Sequence, residues 1–109
     1  MSKGVAITGM GIISAIGNNV AENYSSLLEG RTGISKISKI DTIHKESIMV
    51  GEIEYTNQEL EAKLGLGPDN NYSRTALLGA VAAKEAIADA KITDIKAYRT
   101  GLISSTSVG

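Results

Sequence analysis

The run Val5-Ala6-Ile7-Thr8-Gly9-Met10-Gly11-Ile12-Ile13 decides how this chain is to be read. It is an almost uninterrupted apolar stretch rich in β-branched residues. Strands covered on both faces have this pattern, so it predicts a central strand of an α/β sheet. Gly9 and Gly11 carry no side chains, which predicts either a bend or a second element packed closely on that backbone. Gly17-Asn18-Asn19 ends the run. Asn19 and Glu22 then have capping-box spacing, Val20, Tyr24, Leu27 and Leu28 form one apolar stripe, and Gly30 suits a left-handed helix end. The first unit reads as strand, glycine turn, helix.

Further along, Ile34, Ile37, Ile40 and Ile43 recur every three residues, a period of neither strand nor α-helix, so residues 31–45 read as an extended excursion with its isoleucines pinned to the body. Residues 47–53 read as a short strand ending near Gly51. Thr56 and Glu59 repeat the capping-box spacing, Leu60 and Leu64 lie one turn apart, and Gly65 stops that helix. The turn Gly65-Leu66-Gly67-Pro68-Asp69-Asn70 offers Asp69 or Asn70 as the cap of the next helix. Residues 71–90 give the strongest helix signal. Ala76, Ala80, Ala83, Ile87 and Ala90 line one face and Leu77, Val81 and Ala88 another, predicting a helix buried on most sides. Residues 99–104 return to strand character, and Ser105 to Gly109 form a small-residue loop.

The chain has 109 residues, the size of one domain, with 42% hydrophobic and 21% charged residues, which excludes disordered and fibrous classes. Its formal net charge of −1 gives no basic excess for nucleic acid or an acidic membrane surface. Aromatic residues are four Tyr, so the interior must be aliphatic. The longest mainly apolar segment, residues 76–90, is interrupted by Lys84, Glu85 and Asp89 and falls short of the ~20 residues that span a bilayer. With no visible secretory signal, the sequence reads as soluble and cytoplasmic.

Thr8-Gly9-Met10-Gly11 invites comparison with the G-x-G-x-x-G phosphate loop of dinucleotide-binding folds. Here the sixth position is Ser14, the helix begins only after Asn19, and Glu29 sits at a helix end where a strand-closing acid is needed. Tight backbone packing is the favoured reading of the two glycines, with a nucleotide-binding α/β module as the alternative. His44 is the lone histidine and has no positioned partner in the sequence, so it reads as a surface residue. Ser105-Thr106-Ser107-Val108-Gly109 falls short of a nucleophile elbow because its first glycine is Ser105 and no histidine comes after it. The chain has no cysteine, hence no thiolate nucleophile and no thiolate metal site, and no metal cluster or P-loop is visible.

Taken together, several segments resemble the β-ketoacyl-acyl carrier protein synthases, especially the fatty-acid elongating type. Residues 5–18 look like that family's opening strand and turn, and Leu27-Leu28-Glu29-Gly30-Arg31-Thr32-Gly33-Ile34 is similar to the segment after its first helix. Tyr72-Ser73-Arg74 through Ala90 resembles its long buried helix. Arg99-Thr100-Gly101-Leu102 through Gly109 looks like the following strand and its G-S-G-[IV]-G type loop. The chain departs from the pattern at Ala15, where proline is usual, at Lys91, where a helix-ending glycine is common, and at Ser105 and Ser107, where glycines are common.

The resemblance implies an α/β, thiolase-like fold layered α/β/α/β/α, with residues 1–109 the first part of the N-terminal half and incomplete at the C-terminus. It implies an acyltransferase of fatty acid synthesis that works as a homodimer, without cofactor or metal, on acyl carrier protein carrying acyl or malonyl groups. The family's chemistry uses a cysteine and two histidines, none of which matches a residue here, so no catalytic residue is assigned and the chain is expected to be inactive alone. Val108 matches the apolar residue that lines the acyl-chain pocket. The family's basic carrier-protein contacts are not transferred, because the Gly65 to Asn71 turn is poor in basic residues, and Lys63 and Arg74 stay unassigned. A non-catalytic homologue, such as a chain-length partner subunit, is the remaining alternative.

Overall fold

The structure is a computed structural model that describes residues 3–107. Its first helix, α1 (Val20–Glu29), starts where capping chemistry dictates: Asn19 is extended, and its side-chain oxygen accepts the Glu22 amide at 2.9 Å. Glu22 reaches back to the amide of Asn18 at 2.7 Å, one residue earlier than a reciprocal box requires. Gly30, at φ 65°, ends the helix in the left-handed region. The apolar stripe does not face a core here, since Leu27 and Leu28 are each 70% exposed and the buried positions are Asn23 and Ser26. The reason is the turn closed by Ser14 and Gly17, which packs on the polar side of the helix. Ser26 Oγ donates to the Ile16 carbonyl at 2.5 Å, and Asn23 Nδ2 donates to the carbonyls of Gly17 and Asn19 at 3.0 and 2.8 Å.

The excursion contains β1 (Ile34–Lys36), which pairs antiparallel with β2 (Met49–Gly51) in the register Ile34 to Gly51, Ser35 to Val50 and Lys36 to Met49. The short strand expected near Gly51 is therefore present. The isoleucines of the excursion are not all pinned: Ile37 is half-buried, while Ile34, Ile40 and Ile43 are exposed. Polar contacts shape this hairpin instead. The Glu52 carboxylate accepts the amides of Ser38 and Lys39 at 2.8 and 2.9 Å, and the His44 carbonyl closes the tip by accepting from Ser47 and Ile48.

Helix α2 (Asn57–Leu64) carries the full capping box. Thr56 Oγ1 accepts the Glu59 amide at 3.3 Å, and Glu59 accepts the Thr56 amide at 2.7 Å. Helix α3 (Arg74–Asp89) is capped by Ser73, whose hydroxyl accepts the Ala76 amide at 3.2 Å, and not by Asp69 or Asn70. Asn70 closes the preceding turn, accepting from the Tyr72 amide and donating to the Gly67 carbonyl. α2 packs on α3, and among the described residues the fully buried large apolar side chains are one leucine from each, Leu60 and Leu77. The Lys84 ammonium seals the joint by donating to the Lys63 carbonyl at the end of α2, at 2.7 Å.

α3 ends on Lys91 itself in the left-handed region, at φ 57°. The Lys91 amide donates to Ala88 O and the Ile92 amide to Ile87 O, the paired bonds that close a helix of this kind. The helix is less enclosed than its composition predicts, with Ala76, Ala83, Ile87 and Ala88 not fully buried.

Two expected strands are not paired among the described residues. Residues 5–13 run along α3 and residues 99–104 are exposed without strand pairing, with Ile7 83% and Ile103 99% accessible. Neither finds a hydrogen-bonded neighbour strand, so the sheet of the described residues is β1 and β2 alone. The radius of gyration, 16.7 Å, exceeds the ~13 Å of a closed domain this long.

Candidate functional site

The N-terminal segment and α3 meet through backbone. Gly9 lies on Ala86 and Ala90, and Gly11 lies on Ala82 and Ala86, so close that a β-carbon at either position would overlap helix main chain. This is the packing reading of the two glycines. A pyrophosphate on these glycines would need the space that α3 fills, which speaks against the nucleotide-binding alternative. Carboxylates of α3 hold the segment, with the Met10 amide donating to Asp89 at 3.0 Å and the Ile12 amide to Glu85 at 3.0 Å.

Beyond Ile13 the chain makes a polar knot against α1. Ser14 Oγ donates to Asn23 Oδ1 at 2.5 Å, and the Ile16 amide donates back to Ser14 Oγ at 3.2 Å. A cleft of about 220 Å³ opens beside it, lined by Ser14, Gly17, Asn18, Glu22, Arg31 and Glu54 among others. Asn18 Nδ2 donates to Glu54 at 3.2 Å, while Asn18 Oδ1 is buried without a partner among the described residues. At the cleft's edge, the Ser25 hydroxyl and the Arg31 guanidinium, 2.7 Å away, hold the Glu29 carboxyl below its ordinary value.

A larger cleft, about 570 Å³, lies between the β2 end and α2, lined by Lys39, Ile40, Ile53, Thr56, Asn57 and Arg74 among others. Arg74 is a tether here: its guanidinium donates to Asn57 Oδ1 at 2.7 Å and to the carbonyls of Tyr55 and Ile53 at 2.9 and 3.3 Å. Lys63 stacks over the Tyr55 ring, 4.7 Å from its centre. Of these two cations, unassigned from sequence, Arg74 ties the start of α3 to the start of α2, and Lys63 covers Tyr55 just before α2. The Lys39 amide, together with Ser38, depresses the Glu52 carboxyl, and the Thr56 amide and hydroxyl depress that of Glu59.

His44 is exposed at the hairpin tip, on a different element from Ser14 and its polar knot. Among the described residues, no group of three or more His, Cys, Asp or Glu side chains is placed to hold a metal ion. Val108, the one acyl-pocket residue named from the sequence, lies outside the described residues. What sequence reading missed was the main-chain binding by Arg74, Glu85 and Asp89; the signal was charged residues on a helix otherwise built mainly of small and aliphatic residues.

Comparison with known proteins supplies what the clefts do not. The sequence matches the family of the β-ketoacyl synthase N-terminal domain over residues 2–109. The chain belongs to the β-ketoacyl synthase family. A 3-oxoacyl-[acyl-carrier-protein] synthase 2 of Staphylococcus aureus is 36% identical over 110 aligned positions, covering 99% of this chain and 26% of its own length. A 3-oxoacyl-[acyl-carrier-protein] synthase 1 of Buchnera aphidicola is 35% identical over 113 aligned positions, covering 98% of this chain and 26% of its own. This β-ketoacyl synthase chain therefore spans about a quarter of the length of those curated relatives. No solved structure gives a significant match. Membership implies the thiolase-like α/β fold, with which the three helices and small sheet of the described residues agree. Among the described residues, no helix is long and apolar enough to cross a membrane.

Proposed function

We propose that this chain is the N-terminal part of a 3-oxoacyl-[acyl-carrier-protein] synthase that elongates acyl chains in fatty acid synthesis. The observation that carries the reading is 36% identity to such a synthase across 99% of the chain. In the reaction, an acyl group passes from its carrier-protein thioester to a cysteine thiolate, and the carrier thiol leaves. Malonyl-carrier protein then loses carbon dioxide, and the resulting carbanion attacks the acyl thioester. A carbon–carbon bond forms, the cysteine thiolate departs, and the product is a 3-oxoacyl-carrier protein two carbons longer. Such steps need an activated nucleophile and donors aimed at the developing negative charge.

The chain has no cysteine and a single histidine, His44, at an exposed hairpin tip. Its part is accordingly structural: core, dimer surface and one wall of the acyl pocket, the last at Val108. The uncovered apolar side chains of Ile7, Leu27, Leu28 and Ile103 support that role, because surfaces of this kind mark contact with further protein. The working enzyme is a cytoplasmic homodimer with a layered α/β/α/β/α body, and acyl carrier protein delivers both substrates. The gene's reading frame tests this. A cysteine in a small-residue setting followed by two separated histidines supports the synthase; a frame that aligns with the family but lacks the cysteine makes the protein a non-catalytic partner subunit.

A further inference from the structure

Glu85 and Asp89 are one helical turn apart on α3, beside the alanines that receive Gly9 and Gly11. Their oxygens bind main chain. Asp89 Oδ2 accepts from the Met10 amide at 3.0 Å, Glu85 Oε2 from the Ile12 amide at 3.0 Å, and Glu85 Oε1 from the Val20 amide at 2.8 Å. The geometry has a simple source. Four residues of α-helix rise ~6 Å, and two residues of extended chain advance ~6.8 Å with both amides on one edge. Carboxylates at i and i+4 therefore match amides at j and j+2, provided the extended chain can come close, which Gly11 between the two amides and Gly9 just before them allow.

The third bond adds a second function to Glu85. Val20 is the first residue of α1, whose amide no intrahelical carbonyl can accept, and Asn19 serves the amide of Glu22 instead. We propose that residues 9–20 form a strap closed on α3 by this carboxylate rail, with Glu85 acting as a cap of α1 supplied from another helix. One side chain thereby sets both where the N-terminal segment lies and where α1 begins. The strap opens as a unit when Glu85 lets go, while the α2–α3 joint around Leu60 and Leu77 stays closed.

Amide hydrogen exchange read residue by residue in this chain and its Glu85→Ala and Glu85→Gln variants tests the strap. In Glu85→Ala, Ile12 and Val20 should exchange faster by on the order of tenfold or more, the scale of losing a hydrogen bond to a charged group. Leu60 and Leu77, whose amides bond to Thr56 and Ser73 carbonyls, should keep their protection. Glu85→Gln retains one acceptor oxygen, so one of the two amides should stay protected and the other should not. Unchanged exchange at both Ile12 and Val20 in Glu85→Ala would overturn the proposal. So would equal loss at Leu77 and Val20 in Glu85→Ala, because that is general loosening and not release of a strap.

Discussion

Gly11 and Ala82 touch backbone to backbone, with the space of a Gly11 β-carbon already occupied by the Ala82 carbonyl. Replacing a glycine by alanine in extended chain ordinarily stabilises by ~0.4–1 kcal/mol through the unfolded state. Here the clash decides the sign, since its partner is helix main chain and not the end of a flexible side chain. Gly11→Ala should destabilise the chain by about 3 kcal/mol, at the upper end of overpacking costs. A urea titration that finds the variant as stable as the parent contradicts this packing.

Leu60 and Leu77 are the large apolar side chains wholly removed from water among the described residues. Truncating either leaves a cavity with nothing else buried to collapse into it. Leu77→Ala should cost about 2–5 kcal/mol, enough to release α2 from α3. Loss of helical circular dichroism with a lower denaturation midpoint is the expected record.

Lys91 holds a left-handed backbone conformation in a helix end that glycine fills without strain. Lys91→Gly should therefore raise stability by roughly 1 kcal/mol, measured as a higher urea midpoint at unchanged slope. No gain would mean that the side chain makes a compensating contact.

How far the sequence alone reached depended on the range of the interactions involved. Caps and stops were legible because they are local: Asn19, Thr56, Gly30 and Gly65 act within a few residues, and the structure places all four as helix ends. Gly9 and Gly11 were legible as close-packing positions, but nothing local names Ala82 and Ala86 as the surface they meet. The α1 stripe failed because periodicity gives the apolar side of a helix, not its neighbour. Asn23 and Ser26 face the Ser14–Gly17 turn, so the polar side became the buried one. Strand character at residues 99–104 was read from residue type, whereas a strand also needs a partner. Of the candidate site, the family pattern alone named Val108; no local chemistry marks it.

Acid should weaken the chain in a defined direction. The Lys39 amide at Glu52, the Thr56 amide at Glu59 and the Ser25 hydroxyl at Glu29 each favour the ionised carboxylate and lower its value from the ordinary 4.5. A carboxylate depressed in the folded state binds its proton more readily when unfolded, so folding gains from ionisation above that ordinary value. The gain disappears as pH falls through the depressed folded values. Stability measured from about pH 6 to about pH 3 should decline on the acid side, and Glu59→Gln should flatten part of that slope. A slope identical in parent and variant would remove Glu59 from the account.

The most direct test of the central claim is condensation by the protein made from the whole reading frame. Purified protein given acyl- and malonyl-acyl carrier protein should release carbon dioxide and form a 3-oxoacyl-carrier protein longer by two carbons, while the 109-residue chain alone forms none. Condensation by the 109-residue chain, or a whole protein whose intact cysteine and histidines leave both carrier-bound substrates unchanged, would contradict it.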